Sequence, residues 1–374
     1  MTSPLRAHFE KLTEAADIRI DGERPWDIRI HDERMFQRML ARGTLGLGET
    51  YMDGWWDCDQ LDELVRRAQS ADLVRHLSSP TTVARIAQAK VMNLQSGRRA
   101  FAVGEQHYDI GNDLYRRMLD SRMMYSCGYW RNADTLDAAQ EAKLALIANK
   151  LEVEAGMRVL DIGCGWGGAA EYFAEKLGCE VVGVTVSREQ ATLARERCAG
   201  LSVEVRLQDY RELNEPFDRV YSIGMFEHVG VKNYKTYMDV VRRCLRDADS
   251  LTLLHTIGGL RSRHQTDPWM EKYIFPNSML PSVAQVADAC EGRLVIEDLQ
   301  NFGPYYDRTL MAWKANIDAH WDELSDDYDE RFRRMWDFYL LSSAGSFRAR
   351  KLQLYQFVMS RDGVASGYVA DNIR

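Results

Sequence analysis

The chain has 374 residues, 45% of them hydrophobic and 28% charged, with a formal net charge of −8. That length and composition suit a soluble globular protein of two domains. The negative balance gives no overall attraction to nucleic acid, which is not expected as a partner, and any contact with an anionic bilayer must come from a local patch. No uncharged apolar run reaches the roughly 18 residues that a spanning helix needs. The start, MTSPLRAHFEKLTEAAD, carries acids and no apolar stretch, unlike a secretory signal. Seven cysteines (Cys58, Cys127, Cys164, Cys179, Cys198, Cys244, Cys290) form no CxxC pair and no metal-ligand spacing, so no metal is expected. An odd count in an unexported chain points to reduced thiols in a cytoplasm.

In chain order, residues 1–77 read as a small accessory domain. It holds RPWDIRIHDERMFQRML and then the glycine-punctuated ARGTLGLGETYMDGWWDCDQLDELVRRAQ, where Tyr51, Trp55 and Trp56 beside glycines suggest aromatic packing against tight turns. Residues 66–99 are locally basic, with Arg66, Arg67, Arg75, Arg85, Lys90, Arg98 and Arg99 against one acid, Asp72. The plain reading is a solvated linker helix, with residues 78–104 as the basic linker between two domains. The alternative is a membrane-surface contact, in which each cation contributes about 1 kcal/mol against anionic headgroups.

Residues 105–374 read as one catalytic domain. From about residue 140 short apolar runs alternate with helix-like stretches: MRVLDIG, CEVVGVTV, LSVEVRL, DRVYSIGM and SLTLLHTIG are separated by segments such as REQATLARERC and NYKTYMDVVRRCLR, the latter with Asn233 as a candidate N-cap. This alternation predicts an α/β fold, a parallel sheet with helices on both faces.

Asp161-Ile-Gly163-Cys-Gly165-Trp-Gly167-Gly168 follows the first of these strands. Glycines there allow a tight turn and let a ligand approach bare main chain, at the sheet edge where open α/β folds bind ligands. Gly163, Gly165 and Gly168 also satisfy GxGxxG, but a dinucleotide site wants an acid at the end of the second strand, which here reads GVTVS. No Walker lysine is present. The Asp-x-Gly-x-Gly-x-Gly form resembles motif I of class I, Rossmann-like, S-adenosylmethionine-dependent methyltransferases. Gln190, one turn after Ser187, is the candidate substitute for the missing acid, and Asp209 and Tyr210 after the third strand are placed to meet an adenine.

Several segments together resemble the bacterial cyclopropane-fatty-acyl-phospholipid synthases: GLGETYMDGWWDCDQLD, GEQHYDIGNDLYRRMLD, MMYSCGYW, VLDIGCGWGG, VGVTVSREQ, SIGMFEHVG, LLHTIG, DPWMEKYIFPN and FGPYYDRTLMAW. The resemblance runs from about residue 25 to about 355. It implies a homodimer that takes S-adenosylmethionine, acts on unsaturated phospholipid and visits the anionic inner face of the cell membrane from the cytoplasm. It also implies a bound bicarbonate as catalytic base, in a pocket that falls on Cys127, Glu227, His255, Tyr306 and the main chain near Ile257. Cofactor contacts fall on Tyr125, Ser126, Asp161, Gly163, Gly165, Gly167, Thr185, Gln190, Asp209 and Tyr210. Many relatives carry a cysteine where this chain has Ser343, so a thiolate mechanism at that position is excluded.

The implied chemistry gives these residue types a purpose. An isolated alkene is a poor nucleophile, so activation must come from a sulfonium methyl. Methyl transfer leaves positive charge on a former alkene carbon, and one well-placed base must then remove a proton in a site that excludes water. Tyr125, Tyr129, Trp130, Trp269, Tyr273 and Phe275 are candidates to stabilise the cation, at roughly 0.5–2 kcal/mol each. His228 is a further candidate at the ligand edge, and residues 258–280 form a long connection suited to closing over an acyl chain. Alternative outcomes are a methyl branch or a hydroxylated product from the same cation, small-molecule N-methylation, or a non-catalytic lipid-binding scaffold.

Overall fold

The computed structural model describes residues 4–73 and 111–370. The expected linker 78–104, most of the basic 66–99 segment and the start of GEQHYDIGN lie outside the described residues. The chain divides into two compact units, and not at one cut. The first comprises Met1–Arg117, Thr266–Pro276 and Leu310–Lys351; the second comprises Met118–Gln265, Asn277–Thr309 and Leu352–Arg374. Two excursions from the expected catalytic stretch therefore belong to the first unit.

A local cause of the first excursion is visible in the helix Thr44–Met52, which carries GLGETYM. Gly46 and Gly48 sit within this helix, whereas Gly54, at φ 71° directly before Trp55, sits in the kind of tight turn that the sequence suggests. A glycine within a helix weakens it by about 1 kcal/mol relative to alanine. At Gly48 the reason is contact: a Cβ would stand 2.4 Å from the Trp269 ring. Trp269 is wholly buried and packs edge-on to Phe338 at 4.7 Å. Its helix, Pro268–Tyr273, is capped by Asp267, whose side chain accepts from the main chain of Trp269 and Met270. The same unit holds a two-stranded antiparallel pair, β1 (Arg29–Ile30) and β2 (Trp56–Asp57).

In the second unit seven strands form one sheet: β3 (Arg158–Ile162), β4 (Glu180–Thr185), β5 (Val203–Leu207), β6 (Arg219–Ile223), β7 (Leu251–Gly259), β8 (Val295–Asn301) and β9 (Leu352–Ser360). Their order is β5-β4-β3-β6-β7-β9-β8, with β3 to β7 parallel and β9 alone running the other way, antiparallel to both of its neighbours β7 and β8. Alternate residues point to opposite faces. Leu160, Ile162, Val182, Val220, Leu254 and Phe357 join one core, and Val159, Val181, Tyr221, Leu251, Leu253 and Val358 the other. A sheet buried on both faces explains the nearly continuous apolar runs. The order reverses between β4 and β6 around β3, so the carboxyl ends of these strands open the crevice in which such folds bind ligands.

Candidate active site

A cavity of about 460 Å³ lies at that edge, within the second unit. It is lined by Tyr125, Ser126, Asp161, Gly163, Gly165, Thr185, Gln190, Asp209 and Tyr210. Nine of the ten residues expected at the cofactor are thus brought together. Gly167 is not in the lining. It sits at φ 84° before the helix Gly168–Leu177, where a Cβ would meet Ala194 at 3.0 Å, so it packs the loop against the helix Arg188–Arg197. Gly165 differs: at φ 53°, its Cβ would meet nothing within 4 Å. It leaves bare main chain facing the cavity, the cradle that a ligand's close approach needs.

The polar groups around this cradle are arranged for a neutral or cationic guest. Asp161 lies opposite Tyr221 in the β3–β6 register, and its Oδ2 has no hydrogen-bond partner among the described residues. Burial pushes its carboxyl up to about 7, opposed by the neighbouring Tyr221 hydroxyl. Thr185 donates its hydroxyl to Gln190 Oε1 at 2.9 Å, and the Gln190 main chain donates to Ser187, the N-cap of its helix. Asp209 is engaged by Arg211 through main chain and guanidinium, which holds its carboxyl below the ordinary range. Met225 and His228 also line the cavity. Asn233 precedes its helix as expected but gives no side-chain cap; its amide donates to Val229 O.

None of the five residues expected at the reacting centre is in the cavity lining. Glu227 follows β6 in a short 3₁₀ turn and is 6% exposed. Its Oε1 accepts from the main chain of Ile257 at 2.7 Å, while Oε2 is buried without a partner among the described residues. Burial pushes the carboxyl up to about 7, against the opposing hydrogen bonds of Ile257 and Thr256. Ile257 N–H therefore orients the carboxylate. On β7, His255 is buried, with its Nδ1 on the Gln356 amide at 3.1 Å and its Nε2 without a partner among the described residues. Burial first, then the ammonium groups of Lys143 and Lys150, holds its pKa well below the ordinary value, so the ring is neutral. No hydrogen bond joins Glu227 directly to His255 among the described residues.

Cys127 is fully buried and its thiol is held protonated by burial. Thr309, one turn after Tyr306 on the helix Pro304–Leu324, accepts from Gly128 N at 3.1 Å and from Trp130 Nε1 at 2.9 Å, and lies 3.8 Å from Cys127 Sγ. That helix start is tied to β7 through Phe302, whose ring is edge-on to His255 at 5.9 Å and to Tyr129 at 5.4 Å. Beneath the same loop, fully buried Lys143 donates to Ser126 Oγ at 2.8 Å and to Gln140 Oε1 at 2.6 Å, and burial lowers its pKa to about 8. Of the aromatics expected to face a cation, Tyr125 lines the cavity and Tyr129 and Trp130 lie in the Thr309 cluster. Trp269, Tyr273 and Phe275 do not; they pack within the first unit, on Phe338, Glu49 and Tyr339.

A mostly parallel seven-stranded sheet with a glycine cradle at its reversal is the architecture of the class I methyltransferases, and likeness to known proteins makes this chain an S-adenosylmethionine-dependent member of that class. The sequence model of the family described as mycolic acid cyclopropane synthetase matches residues 95–357, and the chain belongs to that family. It is 53% identical to the cyclopropane-fatty-acyl-phospholipid synthase of Escherichia coli strain K12, over 96% of this chain and 93% of that protein. It is 33% identical to the tuberculostearic acid methyltransferase UfaA1 of Mycobacterium tuberculosis, over 96% and 88%. Among solved structures, the mycolic acid cyclopropane synthase CmaA1 complexed with SAH and CTAB matches 68% of this chain and 96% of its own, with a TM-score of 0.61 and 32% identity.

Proposed function

We propose that the enzyme transfers a methylene from S-adenosylmethionine to the cis double bond of unsaturated phospholipid acyl chains, forming cyclopropane fatty acids. One observation supports the choice of substrate and product. The family model begins only at residue 95, and of the two relatives named above, each matched over 96% of the chain, the E. coli phospholipid synthase is 53% identical, against 33% for the tuberculostearic acid methyltransferase.

The residues present fit the cofactor. Gly165 gives main-chain approach while Gly163, at φ 87°, turns the loop tightly against Met225; Thr185 and Gln190 offer neutral hydrogen bonds where a ribose carboxylate is missing, and Asp161 supplies an acceptor without a partner among the described residues. When bound, the cofactor supplies an electrophilic methyl. The alkene π pair forms the new C–C bond, and positive charge is left on the other alkene carbon. Loss of a proton from the transferred methyl then lets its C–H pair close the ring. The chain's part is to hold a base and keep water out: Glu227, His255 and Cys127 are all buried.

The orphan atoms also fit bicarbonate. Glu227 Oε2 needs a donor, and the neutral His255 ring can donate. A bound bicarbonate would give its hydroxyl to Glu227, take hydrogen bonds from His255 and Tyr306 beside Cys127, and supply a basic oxygen. Glu227, oriented by Ile257, fixes the ion without being the proton acceptor.

The same reading makes the enzyme a homodimer that works from the cytoplasm at the inner membrane face. No described helix is long and apolar enough to cross a membrane. Arg66 and Arg67 are committed within the first unit, to Glu63 and to Glu63 and Asp17 respectively, so bilayer contact falls to the remaining cations of the 66–99 segment. Mass spectrometry of unsaturated phospholipid vesicles incubated with labelled S-adenosylmethionine tests the activity. Acyl chains that gain one CH2 and lose their double bond are expected. Gain of CH4 would mean a methyl branch, gain of CH4O a hydroxylated product, and unaltered lipid would overturn the assignment.

A further inference from the structure

A row of polar side chains crosses three strands of the sheet, buried at His255 and Gln356 and half-buried at Gln300. His255 on β7 lies opposite Gln356 on β9, and Gln356 lies opposite Gln300 on β8. The flanking strand residues Leu354, Tyr355, Phe357 and Val358 are all buried and apolar or aromatic. A glutamine at zero exposure in such a strand is costly unless its amide is used. Gln356 makes one side-chain hydrogen bond, from Nε2 to His255 Nδ1 at 3.1 Å, and its Oε1 has no partner among the described residues.

We propose that Gln356 is a positioning residue that fixes His255 in the tautomer with its proton on Nε2. This rests on the reading of His255 as part of the reaction site. An amide NH2 can only donate, so Nδ1 must accept and carry no proton. In a neutral imidazole the proton then sits on Nε2. The ring is neutral, since it is buried with the ammonium groups of Lys143 and Lys150 acting on it. Phe302 holds the ring edge-on at 5.9 Å, so it has a fixed face as well as a fixed tautomer.

The consequence is chemical. An Nε2–H is a donor to an oxygen, and a ring whose Nδ1 already accepts a hydrogen bond has no free lone pair. His255 therefore holds an oxygen of the site and does not take the proton from the transferred methyl. The opposite amide orientation would place Oε1 on Nδ1, move the proton there and leave Nε2 as a free base. The two orientations assign opposite roles to one histidine.

Long-range ¹⁵N–¹H correlation spectra of the full chain with ¹⁵N-labelled histidine distinguish them, with the His255 signals identified by their loss in His255→Asn. The expected spectrum shows a protonated Nε2 and an unprotonated, accepting Nδ1. Gln356→Glu, nearly isosteric, presents only acceptors to Nδ1 and should reverse the tautomer. Gln356→Leu should populate both tautomers. Both variants should lower kcat, the leucine by about tenfold, with KM for S-adenosylmethionine nearly unchanged. A wild-type proton on Nδ1 overturns the proposal, and this spectrum decides even where a variant does not fold. An unaltered tautomer in a folded Gln356→Glu overturns it equally. Normal turnover by His255→Asn with the expected wild-type tautomer would remove His255 from the reaction, and the positioning role with it, while leaving the Gln356–His255 bond in place.

Discussion

Glu49 in the first unit and Glu227 in the second are both nearly inaccessible, at 2% and 6% exposure, and their surroundings are opposite. Glu49 is surrounded by cations: it accepts from Arg38 at 2.8 Å, from Arg42, from Lys272 at 3.2 Å and from the Tyr273 hydroxyl at 3.2 Å. Despite desolvation, these partners hold its carboxyl below the ordinary range. Glu227 meets no cation among the described residues, uses one oxygen on Ile257 N, and is pushed up to about 7. A carboxylate buried for structure has its lone pairs filled. One that is buried with an oxygen unfilled is destabilising by itself, and the fold tolerates it where chemistry needs it. Asp161, with its own orphan oxygen at the cofactor cavity, belongs with Glu227 in this division.

The largest effect is expected at the cradle that serves these groups. Gly165→Val places a branched side chain at φ 53° in the space the ligand must enter. S-adenosylmethionine binding should fall by more than about 100-fold in a folded protein, measured by calorimetric titration. Unchanged affinity would separate the cavity from the cofactor. Glu49→Ala should cost stability in place of chemistry. Removing the anion strands two arginines and a lysine, a loss of about 3–5 kcal/mol in urea denaturation. A smaller loss would mean that solvent compensates the exposed parts of Arg42 and Lys272.

The two glutamates should also respond to pH with opposite sign. Glu227 has a raised pKa in the fold, so its contribution is present below about 4.5 and is lost as pH rises through about 7. Glu227→Gln should thus gain stability over wild type across that window, by on the order of 3 kcal/mol. Glu49 is depressed, so its contribution is present above about 4.5 and lost as pH falls; the penalty of Glu49→Gln should shrink in acid. Denaturant midpoints for both variants at about pH 4 and pH 8 check the crossing. The smallest effect concerns lipid. Arg98→Gln with Arg99→Gln should weaken vesicle co-sedimentation at low salt by about 1 kcal/mol per cation, whereas Arg66→Gln with Arg67→Gln should leave it unchanged.

Much of the cofactor side was legible in the sequence, because a glycine turn after an apolar run has one geometric meaning in an alternating α/β chain. Thr185, Asp209 and Tyr210 follow from strand ends and Gln190 from its place one turn after Ser187, with the family motifs beside them. The reacting-centre residues needed the family motifs, since no periodicity marks Glu227 or His255 as incompletely bonded. Gln356, Lys143 and Thr309 escaped notice for a related reason: a polar residue inside a strand or helix pattern reads as solvent-facing, and only the folded chain shows all three at zero exposure. A division into contiguous domains puts Trp269, Tyr273 and Phe275 in the catalytic stretch. The fold instead sends Thr266–Pro276 into the first unit, where Gly48 receives Trp269 and Glu49 receives Tyr273.

The unfilled oxygen of Glu227 is the centre of the account, and Glu227→Gln tests it most directly. The substitution keeps shape, removes the charge and leaves one acceptor in place of two. Single-turnover assays on unsaturated phospholipid should show at least a 100-fold fall, of the size expected for a lost acid–base function, roughly 10²–10⁴, with S-adenosylmethionine affinity within about twofold of wild type. Wild-type turnover should also drop in carbonate-free buffer and return on adding bicarbonate. Turnover by Glu227→Gln close to wild type, or full wild-type turnover without carbonate, would contradict the account and place the base on another side chain.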